Sequence, residues 1–215
     1  MRGSALCSVL CALGSAMAFA QAPESGQGIS VGVNFHTAMA TGPLAEDVNH
    51  HPGFGMGITL PIHLGRGHIL RPNVEMTGTR VTEYNPVGWF FNQDPKDVFR
   101  TYKLGLDYLG YPGGDSNHGG YLFLGAGVQW SMLDLDAPTQ NGQETYATYH
   151  RRSGAWLGAG LGYQFNAVSA LELRVSTFQY RAPEGLPLDV ITPAPTEDRT
   201  ATQIHLVWAL RVPVR

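Results

Sequence analysis

Beyond residue 27 apolar and polar residues alternate with a period of two, the signature of strands with one apolar face. Ile29, Val31, Val33 and Phe35 stand opposite Ser30, Gly32, Asn34 and His36. Phe54, Met56, Ile58, Leu60, Ile62 and Leu64 form a second apolar row, Leu70, Val74 and Met76 a third, and Tyr102, Leu104, Leu106 and Tyr108 a fourth. The second half repeats the scheme from Leu122 to Trp130, Ala155 to Phe165, Leu171 to Val175 and Ile204 to Val212. There are eight such segments, most of nine to twelve residues. A tilted strand crosses a bilayer with about 9 to 11 residues.

Short links (Gly65 to His68, Pro112 to Gly120, Asn166 to Ser169) alternate with long ones near Ala38–Gly53, Thr82–Asp97, Leu133–Arg151 and Ala182–Thr200. Short turns at one end and long polar loops at the other are the habit of transmembrane β-barrels. The pattern predicts an all-β protein, an eight-stranded antiparallel up-and-down transmembrane β-barrel, in one domain over residues 21–215.

Residues 1–20 have the layout of a secretory signal peptide. Arg2 is the only charge before Glu24, Leu6 to Leu13 is apolar, and Ala18-Phe19-Ala20 suits cleavage. Cys7 and Cys11 both lie in that segment, so a cleaved chain carries no thiol nucleophile and no disulfide. Cys11, after Ser8-Val9-Leu10, leaves a lipoprotein as the weaker alternative. Export starts the chain on the periplasmic side, sets the four long loops outside and predicts residence in the outer membrane of a Gram-negative-type cell.

Composition narrows the classes further. Charged residues make up only 14% of the chain and glycine supplies 27 residues. Glycine costs about 1 kcal/mol inside a helix, which argues against a helical bundle. A formal charge of −3 gives no electrostatic case for nucleic acid.

Alternation alone leaves open which face is wet, and a soluble lipocalin-like barrel with its apolar face inward fits the same rows. Three features favour the membrane. The polar face is rich in glycine (Gly32, Gly55, Gly57, Gly105, Gly125, Gly127, Gly158, Gly160, Gly162), which suits a narrow lumen better than a solvated wall. It carries opposed charges, Arg71, Glu75, Lys103, Asp107, Glu172, Arg174 and Arg211, with a single lysine among them, as in fixed internal ion pairs. Phe35, Phe54, Tyr102 and Trp130 near the loop ends, with Tyr108, Tyr163 and Phe165 near the turn ends, read as two aromatic girdles. The chain therefore resembles the small outer-membrane barrels of the OmpA/OmpX type. The likeness is clearest in Gly158-Ala-Gly-Leu-Gly-Tyr-Gln-Phe165, its short turn, and Ala170-Leu-Glu-Leu-Arg-Val175. Barrels of that type commonly end on an aromatic residue, where this chain reads Val212-Pro-Val-Arg215.

Candidate chemistry is sparse. His36 and His205 point inward on the first and last strands, and simple counting sets them opposite each other, but without a third ligand no metal is expected. Asp134, Asp136 and Glu144 lack the spacing of a known calcium loop. Ser176 and Glu172 share a strand face, and nothing in the sequence ties His205 to them. No catalytic residue and no cofactor is therefore expected, with a barrel enzyme acting on lipid A or peptide as the minority alternative. The charged row and Trp156 are expected to fill a lumen too narrow to conduct, since water-filled channels need about 16 strands. Expected partners are membrane lipids and lipopolysaccharide around the wall, and a protein or surface partner at the outer loops. Trp89, Phe90 and Phe91 in the second long loop are the contact candidates.

Overall fold

The computed structural model describes residues 29–65, 67–81, 98–135, 148–183 and 196–213. The expected signal peptide, Trp89, Phe90, Phe91, Asp136 and Glu144 lie outside the described residues, as does the side chain of Asp134. The elements run β1 (Ser30–Thr41), α1 (Pro43–Asp47), β2 (Gly53–Thr59), β3 (Ile62–Gly65), β4 (His68–Arg80), β5 (Val98–Gly110), β6 (Gly119–Leu135), β7 (Thr148–Gln164), β8 (Ser169–Pro183) and β9 (Thr196–Pro213).

All pairings are antiparallel, and β9 returns to β1, with Val31 opposite Val212 and Phe35 opposite Trp208. Both β2 and β3 pair with β4, so they are two halves of one barrel strand. The break falls at Leu60–Pro61, where Pro61 has no N–H for the ladder. The Leu60 N–H still donates to the Pro72 carbonyl at 2.9 Å. The result is a closed ring of eight strands.

Side-chain direction settles which face is wet. Leu124 is 67% exposed and Leu122 62%, whereas Arg71 is 2% and Asp107 0%. A lipocalin-like barrel requires the reverse, so the soluble alternative is overturned. Only a bilayer stabilises a wall of that composition, and a closed ring leaves no unpaired edge within it. Tyr102 and Trp130 are cross-strand neighbours toward the loop end. At the turn end the Tyr108 hydroxyl meets His68 Nδ1 at 2.7 Å, and that of Tyr163 meets His118 Nε2 at 3.3 Å. Phe35 lies mid-strand beside Trp208 rather than near a loop.

Two features depart from the sequence expectation. The later strands run further, with β6 and β7 paired out to Leu135 and Thr148, and β8 and β9 out to Pro183 and Thr196. Beyond the lipid-facing band, outward positions such as Gln179, Arg181 and Asp198 turn polar while the backbone ladder continues, so the apolar row ends before the strand does. The first long connection also contains α1, with Pro43 in its first turn, a position that needs no N–H partner. Leu44 and Val48 are fully buried there. They pack with Phe99, Leu133, Phe178 and Tyr180 into an apolar layer at the loop end of the interior. A second layer of Ile69, Leu109, Tyr111, Tyr121 and Phe123 lies at the turn end.

Candidate functional site: the barrel interior and its outer end

Between the two apolar layers inward positions of β4, β5 and β8 converge on an ion-pair cluster. Arg71 donates from Nη2 to Asp107 Oδ2 at 2.8 Å and to Glu172 Oε2 at 3.1 Å, and from Nη1 to Glu172 Oε1. Arg174 donates from Nη1 to Glu75 Oε1 at 2.6 Å and from Nη2 to Glu172 Oε2 at 3.1 Å. Tyr121 adds its hydroxyl to Glu172 at 2.7 Å, and the Asn34 amide reaches Glu75 at 3.3 Å. The two guanidiniums stand over the Phe123 ring at 5.6 and 5.1 Å. Buried charges persist only where paired and hydrogen-bonded, and bidentate Arg–carboxylate geometry supplies both.

Five of the seven charged lumen candidates thus meet: Arg71, Glu75, Asp107, Glu172 and Arg174. Lys103 lies opposite Glu75 in register but directs its Nζ to Ser176 Oγ at 2.8 Å and over the Trp156 and Phe178 rings. Arg211 stands apart, donating to the Tyr111 hydroxyl at 3.2 Å, because its place on β9 puts it at the turn-end layer. Counting Lys103, three carboxylates face two guanidiniums and one ammonium, so the cluster is electrically balanced.

Trp156 completes this level. Its indole lies in wells left by glycine: a Cβ on Gly105 would meet Trp156 Cζ2 at 2.2 Å, one on Gly127 its Nε1 at 2.7 Å, and one on Gly125 its Cη2 at 3.0 Å. Phe123 and Tyr121 occupy equivalent wells over Gly160 and Gly162. Tyr121 and Phe123 were absent from the sequence candidates. Their signal was parity, since they share the face of Gly125, Gly127 and Gln129.

His36 and His205 are offset by two residues, His36 standing opposite Val207 and His205 opposite Ala38, yet their rings meet edge to face at 5.3 Å. The nitrogens of His36 are engaged by Thr77 Oγ1 at 2.8 Å and Asn34 Oδ1 at 3.4 Å. His205 Nε2 meets Ser176 Oγ at 3.1 Å, a link that sequence counting did not provide. Among the described residues no group of three His, Cys, Asp or Glu side chains is placed to hold a metal ion.

At the outer end α1 is fastened down. Tyr180 donates its hydroxyl to Asp47, and Arg199 Nη1 reaches the other Asp47 oxygen at 2.9 Å. Burial, then the hydrogen bond to the Asp47 carboxylate, pushes the Tyr180 phenol well above its ordinary range.

A closed eight-stranded ring, apolar outside and charged within, with short links at one end and long connections at the other, defines a small outer-membrane β-barrel protein. Solved structures agree in fold. The N-terminal β-barrel domain of Pseudomonas aeruginosa OprF superposes with a TM-score of 0.51 at 14% identity, over 87% of this chain and 99% of that one. Ail, the attachment invasion locus protein of Yersinia pestis, gives 0.52 at 10% identity over the same shares. No family model and no curated protein sequence matches the chain.

Proposed function

We propose that this protein is a non-conducting, non-enzymatic surface barrel whose outer end makes contact with a partner or a surface. One observation carries the reading: Trp156 and the balanced cluster of Arg71, Lys103, Arg174, Glu75, Asp107 and Glu172 occupy the barrel's waist, every member buried. Eight strands leave an interior that side chains fill, so no aqueous path is built around them. A rigid barrel then presents loops that vary without disturbing the ladder, the natural place for recognition. The name of Ail, an attachment and invasion locus protein, supports a contact role for a barrel of this fold.

Purified protein in planar bilayers is expected to show no stable, large conductance steps, and such steps would overturn the non-conducting part. Replacing Trp89, Phe90 and Phe91 together by serine is expected to leave heat-modifiable folding intact and to weaken adhesion of cells bearing the barrel. Equal adhesion by both proteins would remove the aromatic contact idea. The enzyme alternative draws on the Ser176–His205 contact; it demands turnover of a lipid A or peptide substrate that His205→Ala abolishes.

A further inference from the structure

Helix α1 sits in the outer end of the barrel as a ligand sits in a pocket. It has five residues and no side-chain hydrogen bond at its N-cap, and a single turn of that length does not hold itself together. Gly42 before it has φ 64°, and Asn49 and His50 after it have φ 49° and 57°. All three lie in the left-handed region, so the backbone turns sharply on both sides of the helix. Beyond the second turning point the chain is tied to the end of β4. Asn49 Nδ2 donates to the Val81 carbonyl at 2.6 Å, and His51 Nδ1 donates to that of Arg80 at 3.2 Å.

One face seats the helix. Leu44, Asp47 and Val48 are three and four residues apart and share that face. Leu44 and Val48 fill a chamber walled by Phe99, Leu133, Phe178 and Tyr180, with Trp156 in the same cluster. The Phe99 and Phe178 rings are nearly parallel, 8° apart, and give it flat apolar sides. At the rim, Asp47 accepts from the Tyr180 hydroxyl and from Arg199 Nη1. Arg199 also holds Glu197, at 2.5 Å. Withdrawing α1 therefore takes one of two carboxylates from Arg199 and strips the fully buried Tyr180 hydroxyl of its Asp47 acceptor. Whatever replaces α1 must bring an apolar body and a carboxylate together.

We propose that the chamber beneath α1 is a binding site for a medium-chain monocarboxylate, with α1 as the internal occupant that such a ligand displaces. The leucine and valine side chains supply about seven apolar carbons, the length of the octanoate tail. The ligand carboxylate takes the place of Asp47 between Tyr180 and Arg199, and its tail takes the places of Leu44 and Val48. Because α1 competes, the apparent affinity is lowered by the fraction of molecules with the helix seated. The site stands outward of the ion-pair cluster, so its occupation opens no path through the waist, and it is independent of the surface-contact reading.

The probes are octanoate and octan-1-ol, added to the full-length barrel in nanodiscs of deuterated lipid. Octanol enters the bilayer equally well and lacks the carboxylate. Two quantities are read: protection factors of the amides in residues 43–48, and saturable shifts of the Phe99 and Phe178 ring signals in protein with isotope-labelled phenylalanine. Octanoate is expected to lower protection at residues 43–48 at least tenfold while both rings shift, and octanol to do neither. D47N weakens the internal occupant and is expected to bind octanoate at least tenfold more tightly than the wild type. D47N/R199Q removes the rim guanidinium as well and is expected to bind octanoate no better than octanol. Heat-modifiable gel mobility shows whether each variant folds, and the wild-type arms decide alone if one does not. Absence of saturable ring shifts at high octanoate, equal binding of octanol, or ring shifts with protection at residues 43–48 unchanged each overturns the proposal.

Discussion

Gly105 and Trp156 are fitted to each other, since a single carbon added at Gly105 would stand 2.2 Å from Trp156 Cζ2. That atom belongs to the part of the indole a phenyl ring lacks. Gly105→Ala is therefore expected to destabilise the barrel by about 1–3 kcal/mol through overpacking, and adding Trp156→Phe should return part of the loss. Gly127→Ala provides the contrast. Its new carbon meets the Leu104 carbonyl at 2.1 Å, a tighter backbone clash than the 2.8 Å between a Gly105 Cβ and the Ala126 carbonyl, and no change at Trp156 relieves it. Urea unfolding midpoints in detergent, followed by gel mobility, check both; equal rescue of the two variants would contradict the geometry.

The buried cluster makes a prediction about pairs. Arg71→Met leaves Asp107 and Glu172 without their strongest partner in a sealed interior and is expected to cost about 3–5 kcal/mol. R71M/D107L removes one charge of each sign and leaves Glu75 and Glu172 balanced by Arg174 and Lys103. The double variant should be more stable than R71M alone, because an unpaired buried charge costs more than an absent pair. A double variant that unfolds at lower urea than R71M would show that the bidentate geometry itself outweighs charge balance.

The strand order, the closed ring and the inward face were legible because a two-residue period runs uninterrupted from Ile29 to Val33 and from Leu122 to Trp130. What each inward residue touches was not. Arg71 and Arg174 look equivalent to Arg211 in the alternation, yet stagger carries Arg211 to the Tyr111 layer. Helix α1 was invisible, since Pro43–Asp47 is too short for a helical period to register. The point where the β7–β8 register ends, at Trp156 and Phe178, was invisible for another reason: alternation reports which face a side chain takes and says nothing of where neighbouring strands part company.

Tyr180 sets a pH dependence on the cap. Its phenol is raised above the ordinary value of about 10 in the folded protein. Folding therefore favours the protonated form, and this stabilisation is fully present below pH about 10 and is lost as pH rises beyond it. The protection factors of the amides in residues 43–48, taken against the intrinsic exchange rate at each pH, are expected to hold up to that point and to fall above it. Tyr180→Phe, with no proton to lose, should flatten the profile. The idea fails if the wild-type protein holds its protection unchanged into strong alkali.

Ser176 separates a structural interior from a catalytic one. Its Oγ accepts from Lys103 Nζ at 2.8 Å and lies 3.1 Å from His205 Nε2, while Ser176 and His205 are each 1% exposed. A serine nucleophile needs a base oriented by an acid and a place for substrate beside it. Here the nearest neighbours of Oγ are an ammonium and a histidine that packs against His36. In the structural role, Ser176→Ala strips a buried donor of its acceptor and is expected to lower stability by about 1–3 kcal/mol. Ser176→Thr keeps the hydroxyl, suits a strand, and should restore most of that loss. Catalysis makes a different demand: Ser176→Ala would abolish turnover of lipid A or peptide with the unfolding midpoint unmoved. Unfolding midpoints and product analysis on outer-membrane extracts from cells expressing each variant distinguish the two. A fall in midpoint for alanine, its recovery for threonine, and identical lipid A profiles throughout is the expected result.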